Sequence, residues 1–213
     1  MSLLFRYSLA AGLALMLNSA SIWAFPITYT IRAQAFDNGV LGPEMLTAVI
    51  VYESTTPDTS TMTDQGFFTG GLISTNFSID GTQIAFDPVT EEELFTNAGG
   101  TFLFDQFNGS FRTGVGGFGN DRFSFTTEFT MGTLVPPNEL SKLPTFFDNT
   151  QLLLGGVSFT AGSAPTAPGF WEMQSITAQT PLPDGGSTLS ALGLSLAGLL
   201  IMYRKASRPN PAC

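Results

Sequence analysis

The side chains that perform most protein chemistry are scarce in this chain of 213 residues. There is no histidine, and the one cysteine is Cys213. A nucleophilic serine or cysteine needs a base beside it, which is usually histidine. A serine–lysine arrangement has only Ser141 and Lys142 to draw on, and we interpret that pair as part of a loop cap. We therefore predict no catalytic residue, and a chain with no histidine and a single cysteine at its last position is predicted to have no zinc site.

Acidic side chains are the one plentiful chemical group. Residues 25–183 hold sixteen of them against four basic ones, which gives this stretch a net charge of −12. Such a surface does not suit nucleic acid, because phosphates are bound by lysine and arginine. Two carboxyl groups close together could catalyse the hydrolysis of a glycoside. Sixteen acidic residues produce close pairs by chance, however, so such pairs are weak evidence for this activity.

Calcium is the one ion that the acidic loops suit, since it takes several oxygen ligands from flexible segments. The candidate ligands are Asp37 and Asn38 near Glu44, and Asp87 together with the glutamates at 91–93. Solvated loop charge is the alternative interpretation, and we favour it. No cofactor is therefore predicted.

The elements that must position these side chains are predicted to be β-strands. Ile27, Tyr29 and Ile31 alternate with polar residues, as they do in a half-buried strand. Patterns of this kind predict strands over residues 27–35, 46–52, 67–79 (one or two strands), 83–86, 101–107, 123–131, 151–160 and 170–178. Residues 90–94 and 137–140 are predicted to form single helical turns at most.

Turn residues separate these segments, among them Asp80-Gly81 and Asn108-Gly109. Short strands at this spacing are typical of an antiparallel sandwich or barrel. We therefore predict an all-β domain over residues 25–180, an antiparallel, jelly-roll-like β-sandwich flanked by a signal helix and a transmembrane helix. Since this domain has no cysteine, we expect it to fold on its core alone, without a disulfide or a metal.

Phenylalanine is the dominant apolar residue of this domain. Thirteen of the twenty phenylalanines lie between Phe67 and Phe129. Alternation places most of them on inward faces, so we interpret them as core rather than as a platform for sugar or a partner. The aromatic residues that alternation explains least are Phe118, Phe146, Phe147 and Trp171.

The first 24 residues are typical of a secretory signal peptide. Arg6 supplies the positive charge, residues 7–17 form the apolar segment, and small residues follow. Cleavage is predicted after Ala24, with Ala20 or Ser21 as alternatives. The domain that follows is therefore predicted to be exported.

The last 33 residues, 181–213, read as a turn, an apolar run and a basic end. Residues 189–203 carry no charge, and the basic residues beyond them are predicted to stay on the cytoplasmic side. We predict a transmembrane helix over residues 188–203 whose orientation is set by Arg204, Lys205 and Arg208.

The apolar run of fifteen residues is short for a membrane span. It covers roughly 22 Å, less than a hydrocarbon core of roughly 30 Å. A helix that is barely long enough to anchor a chain suits a segment that is removed, as the hydrophobic tail of a GPI attachment signal is. The alternative is that this run forms a C-terminal helix of a soluble core.

The string from Leu182 to Thr188, the apolar helix and Arg204-Lys205 resemble the PEP-CTERM class of bacterial sorting signals. They are most similar to the variant that begins Val-Pro-Asp-Ser/Gly-Gly, the VPDSG-CTERM type. The resemblance implies that an exosortase, an integral-membrane cysteine protease, recognises this tail and processes the protein for export or surface attachment. The residues that it places in the processing motif are Pro183, Asp184, Gly185, Gly186, Ser187 and Thr188.

These observations favour an exported, surface-associated protein without enzymatic activity, a component of the cell envelope or of an exopolysaccharide matrix. Its expected partners are the exosortase-type protease and, before processing, the membrane. The alternative is a carbohydrate-binding module that acts on extracellular polysaccharide. An extracellular hydrolase is a third and weaker hypothesis.

Overall fold

A computed structural model describes residues 25–37, 39–62, 64–98, 104–114, 121–134, 142–162 and 169–181. These residues form ten β-strands: β1 (Pro26–Asp37), β2 (Val40–Glu53), β3 (Gln65–Phe68), β4 (Leu72–Ile79), β5 (Thr82–Ile84), β6 (Val89–Ala98), β7 (Phe104–Thr113), β8 (Arg122–Thr130), β9 (Leu152–Thr160) and β10 (Phe170–Gln179). The one helical element in the described part of the chain is a 3₁₀ turn, Asn149–Gln151. The prediction of an all-β domain is therefore confirmed.

All ten strands belong to one antiparallel sheet, in the order β3-β6-β7-β8-β9-β10-β1-β2-β4-β5. Strands β6 to β10 pair in sequence order, and β1 pairs with β10 and β2. The short strands β3 and β5 form the two edges. The first and last strands of the domain are consequently neighbours, with Thr28 opposite Gln179.

Strict alternation of side chains builds the core. On β8, Phe123, Phe125, Thr127 and Phe129 are buried, while residues 124, 126 and 128 between them are more exposed. On β1, Tyr29 and Ile31 are buried in the same way. Each fully buried phenylalanine contributes roughly 1.5–3 kcal/mol. Seven of the eleven described phenylalanines between Phe67 and Phe129 are buried, so most of this group stabilises the fold, as its spacing predicts.

Aromatic rings on the buried face touch across the sheet. The Phe77 ring on β4 lies 4.9 Å from Phe123 on β8 and 5.3 Å from Phe159 on β9, between centroids. Tyr29 on β1 lies 5.1 Å from Phe107 on β7. Because none of these strand pairs are neighbours in the sheet, the sheet must curl over its own buried face.

The turn predicted at Asp80-Gly81 is present. It joins β4 to β5, and both residues have positive φ, 49° and 79°. This conformation is the one that two-residue hairpin loops favour. The Asp80 carboxyl group also accepts a hydrogen bond from the backbone N–H of Met45 at 2.9 Å, which fixes the hairpin against β2.

Two local predictions are wrong. Residues 90–94 are not a helical turn but part of β6, which pairs with β3 on one side and β7 on the other. Asn108 and Gly109 are not a turn but lie within β7. A Cβ atom on Gly109 would lie 2.4 Å from Cε1 of Phe125. This glycine therefore makes room for a core ring. The predicted turn at 137–140 lies outside the described residues.

Both predicted flanking helices, in residues 1–24 and 188–203, also lie outside the described residues. Within the described part of the chain, no helix has the length and apolar character needed to cross a bilayer. By its internal contacts the chain divides into two units, Met1–Gln179 and Thr180–Cys213. The division falls where β10 ends.

Candidate functional site

The residues predicted to act in sorting and cleavage lie outside the described part of the chain. These are Ala24, Pro183, Asp184, Gly185, Gly186, Ser187, Thr188, Arg204, Lys205 and Arg208. The described fold nevertheless ends close to them on both sides. Strand β1 begins at Pro26, two residues after Ala24, and β10 ends at Gln179, four residues before Pro183.

Phe170, the first residue of β10, is the most prominent aromatic side chain on the outer face of the sheet. Its neighbour Trp171 is fully buried, so alternation turns Phe170 outward, where 49% of it is exposed. The ring lies over Gly156 of β9, since a Cβ there would be 3.1 Å from two ring carbons, Cε2 and Cζ. The Phe36 ring meets it edge to face, with 5.9 Å between centroids. Phe170 is thus held as a half-exposed aromatic platform.

One recess lies between this platform and the β1–β2 hairpin. It has a volume of about 760 Å³ and is lined by Phe36, Asp37, Leu41, Glu44 and Phe170, among others. Leu41 is exposed, so the recess combines apolar walls with two carboxyl groups. Such a lining suits a ligand with both apolar faces and hydrogen-bond donors.

A second recess of about 250 Å³ lies on the other side of Phe170. Ser124, Thr126 and Ser158 provide hydroxyl groups in its lining, and Leu154 and Phe170 provide apolar ones. A bulge in the pairing of β8 with β9 leaves Leu153 and Leu154 outside the core, 62% and 61% exposed.

The calcium candidates are only partly brought together. Asp37 and Glu44 line the first recess, while Asn38 lies outside the described residues. The glutamates at 91–93 lie on a strand and alternate between its faces, so they do not converge with Asp87 as a loop would allow. Within the described ranges, no group of three or more acidic, cysteine or histidine side chains is placed to hold a metal.

Two buried carboxyl groups are absent from the sequence-based predictions. Asp121 is 5% exposed and accepts hydrogen bonds from the backbone N–H groups of Asp87 and Gly162, each at 2.7 Å. Asp105 is 1% exposed, and its Oδ2 accepts from the N–H groups of Thr133 and Leu134 at 3.0 Å. Both carboxyl groups hold loops in place. No local sequence pattern marks them, because their partners are 28 to 41 residues away.

These two carboxyl groups do not form a catalytic pair. Asp105 on β7 lies opposite Phe129, near the end of β8. Asp121 directly precedes Arg122, the first residue of β8. Eight residues of strand separate the two positions, about 26 Å at 3.3 Å per residue. Glycoside hydrolases require carboxyl groups within roughly 10 Å of each other.

Two tyrosines are buried donors. The Tyr29 hydroxyl group donates to the carbonyl of Pro144 at 3.0 Å, and that of Tyr52 donates to the carbonyl of Phe68 at 3.1 Å. Burial raises the pKa of Tyr29 well above its ordinary value. Burial, reinforced by the nearby Glu92 carboxyl group, raises the pKa of Tyr52 to about 12. Both hydroxyl groups therefore stay protonated; that of Tyr29 holds the loop at Pro144, and that of Tyr52 holds the end of β3.

The structure places the remaining residues singled out in the sequence either in the core or on the surface, where it describes them. Trp171 and Phe147 are core residues, 0% and 6% exposed, whereas Phe146 is 69% exposed. Lys142 is exposed, and its suggested partner Ser141, like Phe118, lies outside the described residues. Phe170, the residue that forms the platform, did not stand out in the sequence because it continues the pattern of an ordinary strand.

No protein-family model, no curated protein and no solved structure matches this chain significantly.

Proposed function

We propose that this protein is exported and surface-associated, without enzymatic activity, and that an exosortase-type protease processes its C-terminal tail. It would serve as a component of the cell envelope or of an exopolysaccharide matrix. The observation that supports this most is the agreement between the fold and the two sorting segments. The strands occupy residues 26–179, and the predicted cleavage sites lie just outside that range.

This agreement has a physical consequence for processing. Gln179 still pairs with Thr28 in the sheet, so the chain up to that residue is protected from a protease by its strand pairing. Pro183 and the two glycines after it do not favour strand structure. Cleavage there would release the β domain with all of its strands.

The experiment compares two tail variants in cells that contain the exosortase. Replacing Pro183 and Asp184 with alanine should leave the chain inserted in the membrane but uncut. Replacing Arg204, Lys205 and Arg208 with uncharged residues should weaken retention, so that unprocessed precursor passes through. Fractionation followed by immunoblotting measures both effects. If both variants were processed like the wild-type chain, the proposed role of the tail would be wrong.

For the fold, we propose that the curled sheet is a jelly-roll-like β-sandwich with the signal helix before it and the transmembrane helix after it. Strands β3 and β6–β9 would form one layer and the other five strands the second. The ring contacts of Phe77 with Phe123 and Phe159 support this division. So does the pairing between β9 and β10, which covers only three residue pairs, as expected where a sheet bends.

Carbohydrate binding is a second candidate function, favoured by the Phe170 platform. A half-exposed ring beside hydroxyl and carboxyl groups suits a sugar, which offers an apolar face and many hydroxyl groups. Phe170 begins β10 and Gln179 ends it, so the platform lies about 30 Å from the point where the chain leaves the domain. A ligand could therefore reach the platform on a protein anchored by its tail. Binding to a glycan array that Phe170→Ala abolishes would support this function, and no binding by the wild-type chain would exclude it.

A further inference from the structure

We propose that a linear, uncharged polysaccharide chain binds across five strands of the outer face, along a row of side chains that runs from Phe170 to Glu93. This proposal rests on the carbohydrate-binding function and extends it. It specifies the path of the ligand, its polymeric nature and its charge.

The row follows from the strand register. Phe170 on β10 lies opposite Ser158 on β9, and Ser158 lies opposite Ser124 on β8. Ser124 in turn lies opposite Ser110 on β7, and Ser110 lies opposite Glu93 on β6. Three consecutive serines on three neighbouring strands thus lie between an aromatic ring and a carboxyl group.

All members of the row point away from the core. The residues on either side of each serine are buried, for example Phe123 and Phe125 around Ser124, and Val157 and Phe159 around Ser158. Alternation along a strand therefore turns the serines outward. Neighbouring strands are about 4.8 Å apart, so the row measures about 19 Å along the surface from β10 to β6, including the bend between β9 and β10. That length accommodates several sugar rings in an extended chain.

The surface is recessed at both ends of this row. The recess of about 250 Å³ beside Phe170 includes Ser124 and Ser158 in its lining. Another recess, of about 150 Å³, is lined by Ser110, Arg112 and the glutamates at 91–93. The register pair Ser110–Ser124 joins the two recesses. A polymer crossing the strands would occupy both, whereas a single sugar would fill only one.

The charges along this path favour an uncharged ligand. Arg112 and Arg122 lie opposite each other, two residues from Ser110 and Ser124. Glu91 lies opposite Arg112 and Glu93 lies opposite Ser110, so two acidic groups balance the two basic groups beside the row. Residues 25–183 carry a net charge of −12, which repels a polyanion at long range. Serine hydroxyl groups both donate and accept hydrogen bonds, as do the hydroxyl groups of a neutral sugar.

The test is affinity electrophoresis of the full chain, in a detergent without a sugar headgroup. The gels contain hydroxyethyl cellulose, dextran, galactomannan or the neutral polysaccharide fraction of the producing cells, with alginate and hyaluronan as acidic counterparts. We expect retardation by at least one neutral polymer and by neither acidic one. Oligosaccharides prepared from the retarding polymer should bind more tightly from the disaccharide to the hexasaccharide.

Substitutions at Phe170 and in the serine row distinguish binding along the whole row from binding at the platform alone. Phe170→Ala should abolish retardation, and the double variant Ser110→Val/Ser124→Val should weaken it roughly tenfold through the loss of two hydrogen bonds. Ser74→Val, an exposed serine on β4, is the matched control and should change nothing.

Each other outcome is decisive. If Phe170→Ala weakens binding but neither the serine variant nor the chain length of the oligosaccharide matters, the row is wrong and carbohydrate binding at the platform stands. Retardation by the acidic polymers alone overturns the assignment of an uncharged ligand. If no polymer, neutral or acidic, retards the wild-type chain, both the row and the carbohydrate-binding function are wrong.

Discussion

The two buried carboxyl groups should respond differently to the same substitution. Asp121 uses both of its oxygens: Oδ2 accepts from the N–H of Asp87, and Oδ1 accepts from the N–H of Gly162. Asp105 uses only Oδ2, and its buried Oδ1 has no hydrogen-bond partner. Asparagine has the same shape as aspartate but offers only one accepting oxygen. The number of oxygens in use therefore determines the cost of the change.

At Asp121, asparagine must turn its NH₂ group toward a backbone N–H that the carboxyl oxygen had satisfied. One hydrogen bond is lost, and a partly buried donor is left without an acceptor, which costs about 1–3 kcal/mol. The loss of the bond itself adds about 1 kcal/mol. We expect Asp121→Asn to lower the free energy of unfolding by about 2–4 kcal/mol.

At Asp105, the amide oxygen can take the place of Oδ2 and keep both hydrogen bonds, while NH₂ replaces an oxygen that already has no partner, so one unpaired buried group is exchanged for another. We expect Asp105→Asn to change the free energy of unfolding by less than about 1 kcal/mol. Urea denaturation of both variants, followed by the fluorescence of the buried Trp171, measures the difference. An Asp105→Asn variant that is destabilised as much as Asp121→Asn would refute the reasoning.

Three further predictions concern stability. Since burial raises the pKa of Tyr52 to about 12, the unfolded chain loses this proton near pH 10 and the folded chain keeps it. The Tyr52 contribution to stability, complete below pH 10, should therefore fall by about 2–3 kcal/mol as the pH rises to 12, and alkaline denaturation of Tyr52→Phe should show a smaller fall. Gly109→Ala should cost about 1–3 kcal/mol by crowding Phe125, whereas Gly169→Ala, with open space around it, should be neutral in the same urea assay. Melting with a chelator or a reductant should leave Tm unchanged, because the fold is expected to need neither metal nor disulfide; a lower Tm with the chelator would indicate a calcium site.

Local alternation predicted the strands that carry their own pattern. Strand β9 is predicted at 151–160 and lies at Leu152–Thr160, and β10 is predicted at 170–178 and lies at Phe170–Gln179. Strand β6 escaped prediction because consecutive glutamates at 91–93 hide the alternation. Glu92 accepts a hydrogen bond from the N–H of Leu72 at 3.3 Å. That contact involves the first residue of β4, which is twenty residues away, so no local pattern reveals it.

The candidate glycan site depends even more on contacts between distant residues. Phe170 becomes a platform because Gly156, fourteen residues earlier, leaves room for its ring. The serine row exists only through the register of successive strand pairs. A shift of one residue in any pair would turn a serine toward the core. The proposed sorting segments, by contrast, are short and contiguous, so their prediction rests on composition and order alone.

The most direct test of the central proposal is the intact mass of the protein recovered from producing cells that have the exosortase. We predict a chain that begins near Phe25 and ends within residues 183–186, so that it contains all ten strands and lacks both terminal segments. Recovery of a chain that still ends at Cys213 would contradict the proposed sorting.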